Sequence, residues 1–125
     1  HLAGLGERIS YAEGSFFEHV PAGGDAYVLC RVLHNWRDEA ATALLRRIRD
    51  AMTSGGRLIV LEEFLPEGGE AVSGAGIVDL LMLVTLEGRD RTAAEYRALV
   101  TAAGLTVTDV REAADVTGVL EAVAP

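Results

Sequence analysis

The run Ala26-Tyr27-Val28-Leu29-Cys30, continuing into Arg31-Val32-Leu33-His34-Asn35-Trp36, constrains this chain more than any other stretch. A segment apolar almost throughout reads as a buried parallel strand, here from Ala26 to Leu33. A helix follows from about Glu39 to Met52. Asp38 stands as its N-cap, apolar residues recur at Ala41, Leu44, Leu45, Ile48, Ala51 and Met52, and Gly55-Gly56 stops it. A base, an amide and a large aromatic ring thus stand together at a strand-to-helix turn. Open α/β sheets place their ligands at that carboxyl edge of the sheet. A lone histidine at a strand end is more often structural, so the role of His34 depends on the rest of the chain.

The remaining pattern is α/β. Arg8 to Ala12 is a short extended run, and Pro21-Ala22-Gly23-Gly24 is a turn. Arg57 to Glu62 reads as the next strand, continuing to Phe64-Leu65-Pro66. Ser73 to Leu86 reads as a helix with Ile77, Leu80, Leu81 and Val84 on one side. Thr92-Ala93-Ala94-Glu95 is a capping box, so a further helix starts at Ala93. Its apolar face is Tyr96, Leu99, Val100 and Ala103, and Gly104 ends it. Leu105 to Val110 and Val116 to Val123 read as a closing antiparallel strand pair. Alternating strands and helices make an α/β fold.

Composition narrows the function. At 125 residues, half of them apolar, the chain makes one domain with a buried core. The net charge of −8 argues against a nucleic-acid partner, which calls for a basic face. No apolar run reaches membrane-spanning length, so no membrane partner is expected. Cys30, the single cysteine, allows no internal disulfide, suits a reducing cytoplasm, and reads as buried strand packing. No Cys/His cluster has metal-ligand spacing. His19, beside Pro21, reads as an exposed loop residue.

An ordered series of motifs goes further: Glu13-Gly14-Ser15-Phe16-Phe17-Glu18, Arg31 through Glu39, Gly55-Gly56-Arg57-Leu58-Ile59-Val60-Leu61-Glu62, Val78-Asp79-Leu80-Leu81-Met82-Leu83, and Gly88-Arg89-Asp90-Arg91-Thr92-Ala93-Ala94-Glu95-Tyr96. In this series the chain resembles the carboxyl-terminal part of a plant-caffeate-type O-methyltransferase of the actinobacterial natural-product branch. The resemblance covers nearly the whole chain. It implies a Rossmann-like class I methyltransferase domain, incomplete here, with residues 1–125 as its carboxyl-terminal portion. The family's glycine-rich turn, its ribose-binding acidic residue and its amino-terminal dimerisation domain have no match in these residues. The implied sheet leaves Arg8 to Ala12 without a neighbour. The chain is therefore expected to act as a homodimer or to be completed by an upstream segment, and to be inactive in isolation.

The resemblance implies S-adenosylmethionine as cofactor, S-adenosylhomocysteine as product, no metal, and a small hydroxylated, aromatic acceptor. Methyl transfer from a sulfonium is an in-line displacement, so the protein must align the acceptor oxygen and remove its proton. A neutral imidazole is a suitable base near neutral pH. A free phenol titrates at about 10 and histidine at about 6.5, so full proton transfer is uphill by roughly 5 kcal/mol and should be concerted with attack. By resemblance His34 is the base, with Glu62 and Asp90 flanking it. Glu62 otherwise reads as a solvated strand end, with Glu63 on the opposite face by strand alternation. Asp90 otherwise reads as a loop residue pairing with Arg89 or Arg91.

For the cofactor the resemblance implies Ser15, Phe16, Arg31 and Trp36. Ser15 stands where the family has an aspartate, a change worth about 1 kcal/mol of adenine binding. Phe16 covers the adenine face or is core, and Phe17 is the better core candidate. Arg31 lies near the adenine or makes a surface ion pair, and Trp36 stacks on the cofactor or wedges the turn. Asn35 is matched to the acceptor hydroxyl. Met82 is matched to the acceptor ring or is ordinary helix core. Two other readings stay open: a family member that binds the cofactor but performs a different reaction, and a non-catalytic piece or partner subunit.

Overall fold

The computed structural model describes residues 6, 8–68, 88–112 and 117–125. Strand β1 (Ala26–Cys30) leads through a 3-10 turn (Leu33–Asn35) into helix α1 (Asp38–Ala51) and strand β2 (Arg57–Leu65). A two-residue strand β3 (Arg91–Thr92) runs directly into helix α2 (Ala93–Ala102). Strands β4 (Thr106–Glu112) and β5 (Thr117–Val123) close the chain. The sheet order is β1-β2-β5-β4, with β3 pairing in parallel at the far end of β2.

β1 and β2 pair in parallel from Ala26↔Arg57 to Cys30↔Leu61. β5 runs antiparallel to β4, as the closing strand pair predicts, and its other edge pairs antiparallel with β2. α1 and α2 share one core with the sheet. Ala41, Leu44, Leu45 and Ile48, spaced at three and four residues, are all buried. They join Leu58, Val60 and Phe64 of β2, Leu120 and Ala122 of β5, and Tyr96, Leu99 and Val100 of α2 in one apolar cluster. The capping box forms: Thr92 Oγ1 accepts from the Glu95 N–H at 3.3 Å, and Glu95 Oε2 accepts from the Thr92 N–H at 2.9 Å. Gly104, at φ +86°, turns the chain out of α2. Arg46 and Arg49 of α1 donate to the carbonyls of Ala102 and Ala103, covering that helix end.

The structure corrects several expectations. The strand from Ala26 ends at Cys30 rather than Leu33, because Arg31 takes a left-handed conformation (φ +54°) that bends the chain out of the ladder. β1 is half-buried, not sandwiched: Val28 is 57% exposed and Cys30 is exposed. Among the described strands β1 pairs only with β2. Asp38 is the first residue of α1, not its cap; Arg37 holds the N-cap position, and its side chain does not cap the helix. The Asp38 carboxylate goes to Arg91 instead. Arg8 to Ala12 join no ladder among the described residues, in keeping with the expectation that this run lacks a neighbour. The helix expected over 73–86, with Met82, lies outside the described residues.

Candidate active site

Strand periodicity sets the first element of the site. Leu58, Val60, Glu62 and Phe64 alternate onto the buried face of β2, so a carboxylate follows two aliphatic side chains into the core. Glu62 is fully buried, which rules out a solvated strand end. Glu63 lies on the other face and pairs with Arg31 at 3.0 Å.

The left-handed Arg31 sets the second element. Its own N–H still donates to the Leu61 carbonyl at 2.9 Å, and the chain then turns across the top of β2. The next two backbone N–H groups, of Val32 and Leu33, both donate to Glu62 Oε1, at 2.9 and 2.7 Å. His34 follows in the 3-10 turn, and its Nδ1 lies 2.8 Å from Glu62 Oε2. One carboxylate thus fixes both the backbone approach to the histidine and the imidazole itself. A carboxylate only accepts, so Nδ1 is the donor of this bond, and a neutral ring in this geometry presents its lone pair at Nε2. His34 is 6% exposed, so nearly all of the ring is packed by protein.

The segment before α2 forms the third element. Asp90 is 1% exposed. Two residues earlier, Gly88 presses on the histidine turn: a Cβ there would fall on the His34 carbonyl oxygen and lie 2.6 Å from the Asn35 carbonyl carbon. Arg91 is fully buried, donating to Asp38 Oδ1 and to the carbonyls of Leu33, Trp36 and Arg89. Its guanidinium stands 5.8 Å from the centre of the Tyr96 ring. Burial raises the Tyr96 hydroxyl above its ordinary range, and the nearby Glu62 carboxylate adds to this. Arg89, half-exposed, pairs with Glu95 and Asp38.

An aromatic group lies on the near side of the turn. Phe16, Phe17 and Trp36 pack edge to face, with ring centres 4.9, 6.0 and 4.6 Å apart. Phe17 is the more buried of the two phenylalanines, as expected, and Phe16 stays 38% exposed. Trp36, which caps the 3-10 turn, sets its ring edge to face against Phe17. The Ser15 hydroxyl accepts from the Phe17 N–H at 3.2 Å, and Ser15 itself is exposed. Asn35 is half-buried, and its amide reaches back to the Arg31 carbonyl at 3.4 Å. His19 is exposed.

Of the residues singled out in the sequence, His34 and Glu62 are in direct contact and Asp90 is buried in the adjoining segment. Asn35 and Trp36 belong to the same turn, Arg31 precedes it with its side chain on Glu63, Phe16 packs against Trp36, Ser15 bonds the Phe17 N–H, and Met82 falls outside the described residues. Gly88 and Arg91 were missed. Arg91 sits in the charged run Arg89-Asp90-Arg91, and nothing in that pattern separates a buried arginine from an exposed one. Among the described residues no group of three or more His, Cys, Asp or Glu is placed to hold a metal ion. None of the described helices is long and apolar enough to cross a membrane.

Comparison with known proteins gives the arrangement its context. Residues 1–106 match the O-methyltransferase domain family. A phenazine O-methyltransferase from Lysobacter antibioticus is 41% identical over 120 residues, covering 96% of this chain and 35% of that protein. An 8-amino-8-demethylriboflavin N,N-dimethyltransferase from Streptomyces davaonensis is 41% identical over 119 residues, covering 94% and 33%. A crystal structure of an O-methyltransferase from neocarzinostatin biosynthesis, with S-adenosyl-L-homocysteine and 1,4-dihydroxy-2-naphthoic acid, superposes with a TM-score of 0.83. It is 39% identical and covers 98% of this chain and 36% of that one. The chain thus spans about a third of the length of the relatives it matches. It belongs to the O-methyltransferase domain family.

Proposed function

We propose that the protein carrying this chain transfers a methyl group from S-adenosylmethionine to a hydroxyl of a small aromatic natural product, with His34 as general base. The observation that carries this reading is the Glu62–His34 pair. The carboxylate takes the Nδ1 proton, fixes the tautomer and leaves Nε2 to accept a proton from an acceptor hydroxyl. The two backbone N–H bonds to the same carboxylate hold the imidazole in place during proton transfer, so no reorganisation is needed as the oxygen becomes nucleophilic. Asp90, buried in the adjoining segment, is the second acidic residue of the site. Asn35 and Met82 are assigned to the acceptor.

The described residues fit one end of the cofactor. Phe16 offers an open aromatic face braced by Phe17 and Trp36, with the Ser15 hydroxyl next to it. Ser15, Phe16, Arg31 and Trp36 would hold the adenine end. When bound, the cofactor supplies an already activated methyl group. We assign the chain to the carboxyl-terminal portion of the catalytic domain, in a cytoplasmic homodimer. The glycine-rich turn and the ribose carboxylate then belong to residues outside these 125.

The test is methyl transfer by the complete protein against a panel of hydroxylated aromatics. His34→Ala should lower turnover by roughly 10²- to 10⁴-fold, with little change in cofactor affinity. Near-normal turnover would return His34 to a structural role. A second reading is favoured by the N,N-dimethyltransferase relative: an amine acceptor. A neutral arylamine attacks with its own lone pair and loses its proton afterwards, so for such an acceptor His34→Ala should cost far less. Matched phenol and aniline acceptors separate the two.

A further inference from the structure

Glu62 orients the His34 ring, but another residue holds the turn on which the ring is mounted. Arg91 is fully buried, and its guanidinium spans both ends of that turn. Nη1 donates to the Leu33 carbonyl at 3.1 Å, immediately before His34, and Nη2 donates to the Trp36 carbonyl at 2.7 Å, immediately after Asn35. Nε and Nη2 both donate to Asp38 Oδ1, at 2.9 and 2.7 Å, which ties the same group to the first turn of α1. Gly88 closes the other side, where no side chain fits against the His34 and Asn35 backbone.

We infer that Arg91 is a positioning residue for the reaction, clamping the 3-10 turn so that the imidazole meets Glu62 with Nδ1 and the acceptor with Nε2. The inference rests on His34 being the general base. Only a planar fork of donors reaches two carbonyls on either side of a turn and a carboxylate at once. A lysine ammonium presents its donors from one point and cannot bridge them. Loss of the clamp frees the turn without removing any group that touches cofactor or acceptor. The consequence is misalignment, and a displacement of about 1 Å at a reacting group costs up to about 10²-fold in rate.

The experiment uses the complete protein and compares Arg91→Lys and Gly88→Ala with wild type and with His34→Gln. Expected for both variants is a fall in kcat of about 10- to 100-fold, with the acceptor KM and the affinity for S-adenosylhomocysteine within about threefold of wild type. The downfield proton signal of the His34–Glu62 hydrogen bond, identified by its loss in His34→Gln, should broaden or vanish in both. Should Arg91→Lys fail to fold, Asp38→Asn carries the test. It removes the anchoring charge at an exposed position and should lower kcat about threefold to tenfold. Unchanged kcat in the folded variants, or loss spread equally over kcat and KM with the proton signal intact, overturns the inference. If His34→Gln itself stays active, the general-base reading has failed instead, and the two failures are told apart by that control.

Discussion

Replacing Glu62 with glutamine tests the site most sharply, because fold and chemistry respond differently. The carboxylate is fully buried and accepts three hydrogen bonds: two from backbone N–H groups on Oε1 and one from the imidazole on Oε2. A glutamine in the same rotamer can keep both backbone bonds only by presenting its carbonyl oxygen to Val32 and Leu33. Its amide NH2 then faces His34 Nδ1, a donor against a donor. The ring must move its proton to Nε2, the atom that should take the proton of the acceptor. A wrong tautomer in a comparable His–carboxylate pair lowers turnover by roughly 10⁴-fold, so a loss of about 10²- to 10⁴-fold is expected here. The exchange of one charge-assisted bond for a neutral one should lower stability by only about 1–2 kcal/mol. Glu62→Ala is different: it strands two backbone N–H groups in the core, at roughly 1–3 kcal/mol each, against a total stability of about 5–15 kcal/mol. Single-turnover methyl transfer with urea unfolding on the same preparations separates the two effects. Glu62→Gln with turnover within threefold of wild type would refute the tautomer argument, and Glu62→Ala as stable as wild type would refute the hydrogen-bond accounting.

Further tests address the frame. Leu44→Ala, at a position almost fully buried between α1 and the sheet, should cost about 2–5 kcal/mol in urea unfolding; a loss under about 1 kcal/mol would mean that the α1 face is loosely packed. The Asp38 carboxylate is held below its ordinary value by Arg91, and that of Glu95 is held low by the Thr92 N–H and Arg89 despite its burial. Their contribution is present above the ordinary values of 3.8 and 4.5 and is lost as pH falls through the lower folded values. Unfolding curves between neutral pH and pH 3 should therefore show an acid loss that Asp38→Asn reduces, and an unaltered loss counts against the pairing. The 125-residue chain alone should bind S-adenosylmethionine poorly by titration calorimetry, and micromolar affinity would show that no further residues are needed. The edge of β1 that no described strand covers, with Val28 exposed beside it, should make that isolated chain self-associate, and sedimentation of a stable monomer at high micromolar concentration would contradict this.

Local signals in the sequence are reliable here wherever the structure satisfies them locally. The Thr92–Glu95 capping box forms because both partners lie within one helical turn and need nothing else. The apolar spacing of α1 becomes its buried stripe, and the period of two along β2 suffices to send Glu62 inward and Glu63 outward. What the sequence hides are the points where a distant group outbids the local one. Asp38 has the chemistry of an N-cap, yet its carboxylate goes to Arg91, 53 residues away. The apolar run continues to Leu33, yet β1 stops at Cys30, because Glu62 on the neighbouring strand offers Val32 and Leu33 a better acceptor than a sheet ladder would.

These departures fall on the same few residues, and that coincidence has a physical cause. A regular strand running on to Leu33 would send its N–H groups sideways into a ladder and leave a buried carboxylate with fewer donors, a costly arrangement in the core. Bending at Arg31 satisfies Glu62; within the turn the Trp36 N–H donates to the Leu33 carbonyl at 3.1 Å, and Arg91 adds a second donor there and one to the Trp36 carbonyl. The irregular turn, the inward carboxylate and the buried guanidinium are thus one solution to a single hydrogen-bonding problem. Sequence pattern exposes the Glu62 part, through strand alternation. The Arg91 part becomes visible only once the turn is in place, because its acceptors are backbone carbonyls that carry no residue identity. The same reasoning explains why the position after Asp90 demands an arginine: only a group with several diverging donors meets two carbonyls and a carboxylate together.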